Sequence, residues 1–302
     1  MSATYLNSII DYIGKKNPMQ YKKLKKTIPF DDIEFVTRAE TFFKTYDDIL
    51  VSENKDMSFA VDCYLKMCSD MMVEQITFME TGAYTSTSFD EVNARVYSND
   101  EIMSYHMNGL LVSQYLWDHH YKVLQFFIQN LHLFSDGVKK VLEVGGGQGL
   151  FSNEVFRHFD DKIDFTMVDV SETSIGIHRN FVKDHHVNYV HEDVMKYDSD
   201  EKFDLIIMGE VLEHVEQPLE LMQKLHSLCS DNGTAFITVP CNSPMIDHIY
   251  LFRNPAEIVA LFNEAGWEVA LEIIVSSETK KTSIVDDPKV PVKHAAFLKK
   301  KK

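Results

Sequence analysis

The sequence predicts an α/β fold in which a helical N-terminal region precedes a mostly parallel β-sheet. Residues 1 to about 137 carry no glycine-rich strand turns, and their apolar residues recur at helical spacing. From residue 138 onwards, short apolar runs alternate with helical segments, which is the pattern of a parallel sheet covered on both faces. The change of pattern predicts two regions, residues 1–137 and 138–302.

Helix starts and an apolar stripe indicate the helices of the first region. The acidic run at residues 31–34 is typical of a helix start, and Ser98 with Glu101 has the spacing of a capping box. Asp118 stands where it would cap the next helix, predicted from Tyr121 to about Leu131. The apolar stripe at helical spacing consists of Val61, Leu65, Cys68, Met72 and Ile76.

Seven apolar runs in the second region are predicted strands. They cover residues 140–144, 164–168, 187–190, 205–208, 235–239, 268–275 and 294–298. Helical patterns fit between them and include residues 219–228 and 255–265.

A glycine-rich segment after the first predicted strand points to a bound cofactor. Four glycines follow within five residues, at positions 145, 146, 147 and 149. Glycine allows a sharp turn and lets a ligand lie against the backbone, so we expect a nucleotide-like cofactor here. A dinucleotide site has the spacing Gly-x-Gly-x-x-Gly, but Leu150 stands at its third glycine position. An NAD-dependent oxidoreductase is therefore the disfavoured alternative.

Acidic residues follow the next three predicted strands. In an open α/β sheet, ligands bind beyond the carboxyl ends of the strands. Asp169 follows the second strand, where its carboxylate can accept hydrogen bonds from both hydroxyl groups of a ribose. Asp193 follows the third strand, and Glu210 follows the fourth.

The pattern Glu143-x-Gly145-x-Gly147-x-Gly149, together with these acids, resembles the class I S-adenosylmethionine-dependent methyltransferases. The resemblance covers residues 138–300 and implies a Rossmann-like seven-stranded sheet of order 3-2-1-4-5-7-6 with strand 7 antiparallel, capped by the N-terminal helices. It implies S-adenosylmethionine as cofactor, with S-adenosylhomocysteine as product. It also implies methyl transfer to oxygen or nitrogen of a small molecule or peptide, with oxygen favoured. The cofactor-binding residues that it implies are Glu143, Gly145, Gly147, Gly149, Asp169, Val170, Asp193, Val194, Gly209 and Glu210.

Residues near the fourth and fifth strands are candidates for catalysis. Glu210, Glu213 and His214 have the spacing of one face of a helix start, which suits a general base or a metal site. Their Glu-x-x-Glu-His pattern is similar to two metal-using groups, the ubiquinone-pathway O-methyltransferases and the small-RNA terminal ribose methyltransferases. Both groups also place a histidine after strand 5, where this chain has His248, so the similarity implies a divalent ion on these four residues.

Many methyltransferases with the same Glu-x-x-Glu-His pattern use no metal. In that case His214 or His248 is the candidate general base, because imidazole titrates near neutral pH. The candidate catalytic residues are thus Glu213, His214 and His248.

Five further residues are predicted to contact the methyl acceptor. Tyr105, His119 and Tyr121 lie in an aromatic- and histidine-rich stretch just before the cofactor strand, and Tyr250 and Arg253 follow His248. A guanidinium such as that of Arg253 can hold a carboxylate through two hydrogen bonds.

Composition restricts the class of partner. The 302 residues carry a net charge of −16, which disfavours nucleic acid, and 45% of them are hydrophobic, as in a folded protein. The four cysteines have no zinc-site spacing and no apolar run approaches ~20 residues, so we expect a cytoplasmic protein without a membrane segment. A cofactor-binding but inactive partner subunit is the alternative to an enzyme.

Overall fold

Helices precede a seven-stranded sheet in the computed structural model, which describes residues 3–159, 162–277 and 290–301. The helices of the first region are α1 (Thr4–Lys16), α2 (Pro18–Thr27), α3 (Ile33–Ser52), α4 (Met57–Thr81), α5 (Phe89–Val92), α6 (Asp100–Leu116) and α7 (Asp118–Asn130). The second region contains β1 (Lys140–Val144), α8 (Leu150–Phe159), β2 (Asp164–Asp169), α9 (Glu172–Phe181), β3 (Asn188–His191), β4 (Phe203–Gly209), α10 (Pro218–Leu228), β5 (Cys229–Cys241), α11 (Pro255–Glu264), β6 (Trp267–Ser276) and β7 (Val292–Lys300).

The sheet has the order β3-β2-β1-β4-β5-β7-β6, which confirms the predicted topology. β1 to β5 pair in parallel, and β7 runs antiparallel to both β5 and β6. The order reverses between β1 and β4, so the carboxyl ends of β1, β2 and β4 open onto one crevice. A ligand site is expected at such a switch point.

Two predicted helix caps are each wrong by one residue, and α7 begins three residues before its predicted start. Asn99, not Ser98, caps α6, because the Asn99 side chain accepts hydrogen bonds from the backbone N–H groups of Glu101 and Ile102. Asp118 is the first residue of α7 rather than its cap, and its carboxylate pairs with Lys122 one turn later, at 2.6 Å.

The helical region packs on both the sheet region and itself. Phe42 of α3 stacks on Phe181 at the end of α9, with ring centroids 5.5 Å apart. The ring of Phe127 of α7 lies parallel to that of Phe297 of β7, with ring centroids 6.0 Å apart. These buried aromatic contacts hold the N-terminal helices against the sheet.

Glu40 of α3 supplies the N-terminal cap of α1. The residue before α1, Ala3, has no side-chain acceptor, and the buried Glu40 carboxylate accepts hydrogen bonds from the N–H groups of Tyr5 (3.0 Å) and Leu6 (2.9 Å). We expect Glu40→Ala to lower the free energy of unfolding by about 1–3 kcal/mol, because one buried and one half-buried donor lose their acceptor. Urea denaturation measures this, with exposed Glu80→Ala as the control. Equal stability of the two variants would contradict the capping role.

Candidate active site

A cleft of about 2000 Å³ lies at the carboxyl ends of the parallel strands. One wall carries the residues at the ends of β1, β2 and β4, and the other is formed by helices of the N-terminal region. Small-ligand sites occupy roughly 300–1,000 Å³. The cleft therefore has room for a cofactor and for a second ligand beside it.

The turn after β1 requires glycine. Gly145, Gly147 and Gly149 all have positive φ, at 64°, 48° and 69°. A Cβ on Gly145 would lie only 2.6 Å from the side chain of Val211. Glycine at these positions lets the backbone itself form the wall of the cleft.

The side chain of Glu143 packs against this turn. Its carboxylate is buried, accepts a hydrogen bond from Ser152 and lies 3.3 Å from Nε2 of His178, which in turn contacts the Tyr189 hydroxyl through Nδ1. A Cβ on Gly146 would be 2.9 Å from the carboxylate. The acid before the glycines thus packs against the turn, as an orienting role requires.

Asp169 presents a buried carboxylate to the cleft at the end of β2. It accepts hydrogen bonds from the N–H of Ser171 (2.8 Å) and from the backbone of Gly147, which ties it to the glycine turn. Burial raises the pKa of Asp169 to about 6, against the lowering effect of these two donors. Its carboxylate is placed to accept hydrogen bonds from the hydroxyl groups of a ligand on the turn.

The other predicted cofactor residues also line the cleft. Val170 is half exposed there, and Val194 is buried. Asp193 is partly buried, and its carboxylate accepts a hydrogen bond from the N–H of Met195 at 2.9 Å. Gly209 ends β4, where a Cβ would meet Phe151 at 2.8 Å.

The raised pKa of Asp169 predicts pH-dependent cofactor binding. Above pH 6 the carboxylate is charged and accepts hydrogen bonds, whereas below its pKa of about 6 it is protonated and a ribose must compete with that proton. We expect affinity for S-adenosylhomocysteine to be roughly tenfold lower at pH 5 than at pH 7.5. Calorimetry on the wild type and on Asp169→Asn tests this. An equal pH dependence in the variant would assign the effect to another group.

Glu213, His214 and His248 form a cluster at the floor of the cleft. Nε2 of His214 and Nε2 of His248 lie 3.8 and 3.9 Å from Oε1 of Glu213, and the two imidazole rings are perpendicular. Glu213 is fully buried, and neither of its carboxylate oxygens has a hydrogen-bond partner among the described residues. Burial, and then the charge of Glu210, raise the pKa of Glu213 well above its ordinary value. Such a group is stabilised by a cation or by a donor from a ligand.

Backbone carbonyls orient both imidazoles. Nδ1 of His214 lies 2.9 Å from the carbonyl oxygen of Asp247, and Nδ1 of His248 lies 2.6 Å from that of Ser243. Each Nδ1–H therefore donates to a carbonyl, so each Nε2 presents a lone pair towards Glu213. Burial lowers the pKa of His248, which keeps that ring neutral. Two imidazoles and one carboxylate are a suitable ligand set for a divalent ion such as zinc.

Three residues around this cluster escaped the sequence analysis. Buried Asp247 lies 3.7 Å from Nδ1 of His214 and 3.6 Å from Nε2 of His106 on α6, and the Tyr97 hydroxyl is 3.2 Å from Nδ1 of His214. For His106, the sequence signal was the aromatic- and histidine-rich stretch that contains Tyr105, His106 and Met107. Spacing alone did not show that His106 is the residue facing the site.

Glu210 lies outside the cluster formed by Glu213, His214 and His248. It has a positive φ of 55°, and only Leu212–His214 forms a short 3₁₀ turn, so Glu210 and Glu213 do not share a helix face as predicted. The Glu210 carboxylate accepts hydrogen bonds from Lys293 and from Thr238 (2.9 Å). It still lines the cleft beside the glycine turn.

Four of the five predicted acceptor contacts lie away from the cleft. Tyr105 faces a separate groove and donates to Asp70 at 2.7 Å, and Tyr121 is buried against Phe35. Tyr250 packs on Phe252, and Arg253 binds Glu257 and Asn242 through its backbone. Only His119 lines the cleft, where it stacks on Trp117.

Comparison with known proteins identifies the family. A family profile described as a methyltransferase domain matches residues 117–272, which is more than half of the chain. The chain belongs to the class I S-adenosylmethionine-dependent methyltransferases. The cofactor of this methyltransferase is S-adenosylmethionine. The glycine turn, Asp169 and Asp193 all line the cleft.

Curated relatives match part of this methyltransferase. Malonyl-[acyl-carrier protein] O-methyltransferase 1 of Ilyobacter polytropus is 30% identical over 122 residues, which cover 39% of this chain and 45% of that protein. Ubiquinone biosynthesis O-methyltransferase of Coxiella burnetii is 32% identical over 103 residues, 33% of this chain and 43% of the relative. The matched segment spans less than half of the length of each relative.

A solved structure shares the fold of the methyltransferase. Mitomycin 7-O-methyltransferase MmcR superposes with a TM-score of 0.52 at 12% identity, over 76% of this chain and 67% of that one. None of the helices in the described ranges has both the length and the apolar character needed to cross a bilayer.

Proposed function

We propose that this methyltransferase is an active enzyme that methylates a hydroxyl group of a small molecule. The single observation that carries this proposal is the buried carboxylate of Glu213, which lacks a partner within the described residues and faces two imidazole lone pairs in a cleft larger than a cofactor needs. An inactive cofactor-binding subunit would gain nothing from this arrangement, because a buried carboxylate without a partner destabilises the fold. The two curated relatives, both O-methyltransferases by name, support oxygen as the acceptor atom.

We propose that Glu213, His214 and His248 hold a divalent ion beside the acceptor. The fit is supported by the orientation of both Nε2 atoms and by the cluster of ligand atoms, which lie within 4.8 Å of one another. A bound divalent ion lowers the pKa of a neighbouring hydroxyl and so provides a better nucleophile.

The residues of the chain bind and orient the reactants in this mechanism. The glycine turn and Asp169 position the cofactor, whose sulfonium group supplies the methyl group. Asp193 contributes to the adenosine end of the same site. The carbonyls of Asp247 and Ser243 hold the two imidazoles in the tautomer that leaves Nε2 unprotonated.

We further propose that residues 1–137 serve as the cap that shapes the acceptor site. Segment 84–106 of this region contacts the floor of the cleft at several points. The Tyr84 hydroxyl accepts from the N–H of Ser243 at 3.1 Å, and Arg95 donates to the carbonyl of Ile246 at 2.6 Å. Together with Tyr97 and His106, these contacts fix the segment that carries His248.

Methyl transfer from radiolabelled S-adenosylmethionine to a panel of phenols, catechols and amines tests this function. We expect labelled product from hydroxyl acceptors, its loss on treatment with EDTA, and its recovery when Zn²⁺, Mg²⁺ or Mn²⁺ is added. Full activity in EDTA would exclude the metal and leave His214 or His248 as the base. Binding of S-adenosylhomocysteine without turnover of any acceptor would favour the inactive subunit.

A further inference from the structure

The cleft that contains the glycine turn and Glu213 also extends along one face of α4. Tyr64, Leu65, Cys68, Met72 and Met79 line it at helical spacing. From Tyr64 to Met79 this face is about 22 Å long, at ~1.5 Å per residue. We call this extension of the cleft the α4 groove.

Methionines are frequent along the cleft, and four of them lie on α2 and α4. Among the described residues, eight of the fourteen methionines of the sequence line the cleft: Met19, Met71, Met72, Met79, Met103, Met107, Met195 and Met245. Methionine is unbranched and polarisable, so a surface rich in it adapts to flexible apolar ligands.

Four polar groups at one end of the α4 groove are paired with one another. The Tyr64 hydroxyl accepts hydrogen bonds from Nε2 of Gln20 (2.7 Å) and from the indole N–H of Trp117 (3.0 Å). Gln20 Nε2 also lies 3.6 Å from Sγ of Cys68. An apolar ligand can therefore cover these groups without depriving a donor of its acceptor.

The groove is too exposed to be ordinary core. Met72 and Met79 are 64% and 60% exposed, and Met19 on the facing helix α2 is 80% exposed. Apolar side chains clustered at such exposure along a cleft that leads to a reactive centre mark a ligand site.

On the basis of the methyl transfer proposed above, we propose that the acceptor is an amphiphile with a long, flexible apolar chain. Its hydroxyl-bearing head lies at Glu213, His214 and His248, and its chain lies in the α4 groove. The continuity of the groove with the floor of the cleft sets this occupant apart from a protein partner, which would need no path to the reactive cluster.

A series of 4-alkylcatechols with methyl, butyl, octyl and dodecyl chains tests this inference. Affinity is measured by calorimetry in the presence of S-adenosylhomocysteine, below the aggregation limit of each probe, so that no turnover is required. We expect the dissociation constant to fall about threefold to fourfold for each methylene that becomes buried. Affinity independent of chain length would overturn the proposal.

Matched variants of α4 locate the chain. We expect the double variant Met72→Gln/Met79→Gln to bind the dodecyl probe at least tenfold more weakly and the methyl probe as the wild type does. Val73→Gln/Ile76→Gln is the control, because these residues are 60% and 53% exposed on the same helix but do not line the cleft. Equal weakening by both double variants would refute the groove. Chain-dependent binding without methyl transfer would refute the proposed function and leave the groove intact.

Discussion

Glu213→Gln is expected to reduce methyl transfer by at least 100-fold while the protein remains fully folded. The substitution keeps the size of the side chain but removes the carboxyl group that can ionise beside Nε2 of His214 and His248. Catalytic groups acting together at one centre account for effects of this size. Because the wild-type carboxylate is buried without a partner among the described residues, we expect the metal-free variant to melt at the same or a higher temperature.

Three measurements separate this role from a structural one. The affinity for S-adenosylhomocysteine should stay within a few-fold of the wild type, since Glu213 is assigned to the acceptor. Binding of Zn²⁺ should weaken in Glu213→Gln and not in Glu264→Gln, an exposed control on α11. An active Glu213→Gln, or one that loses cofactor affinity to the same extent as activity, would contradict the assignment.

Asp169→Asn is expected to weaken S-adenosylhomocysteine binding by about 10- to 100-fold, because hydrogen bonds to a charged group contribute roughly 1.5–3 kcal/mol each. The asparagine oxygen can still accept from the N–H of Ser171, so the turn after β2 should persist. Asp164→Asn is the matched control, since Asp164 begins the same strand and is exposed. Calorimetry that gave equal affinities for the two variants would remove Asp169 from the cofactor site.

The sheet could be predicted from the sequence because buried parallel strands are continuous apolar runs. The predicted strand 140–144 coincides with β1, and the other six predicted strands overlap β2 to β7. Strand ends were less accurate. β5 was predicted as residues 235–239 but extends over Cys229–Cys241. The polar residues Ser230–Gly233 hid its first part, which pairs with β4 across a register shift.

The position of the strand-end residues in the cleft could also be predicted, because topology fixes where strand ends lie. The acceptor side could not, because it depends on which way helical residues face. Tyr105 and His106 are neighbours in the sequence, but successive helical side chains point ~100° apart. As a result Tyr105 faces a separate groove, whereas buried His106 contacts Asp247 beside the reactive cluster.

The predicted metal ligands show the same limit. Spacing predicted Glu210 as a ligand, yet the ammonium group of Lys293 pairs with its carboxylate. Lys293 is 83 residues away in sequence and comes from β7, which lies beside β5 in the sheet. A partner supplied by tertiary structure cannot be read from local spacing.

The most direct measurement is a crystal structure of the protein grown with S-adenosylhomocysteine and Zn²⁺, with anomalous diffraction recorded at the zinc edge. We predict S-adenosylhomocysteine over the glycine turn, with its ribose hydroxyls on Asp169, and one anomalous peak about 2.0–2.2 Å from the Glu213 carboxylate and from Nε2 of His214 and His248. Density for the nucleoside elsewhere in the molecule, or an anomalous peak remote from these three residues, would contradict the account.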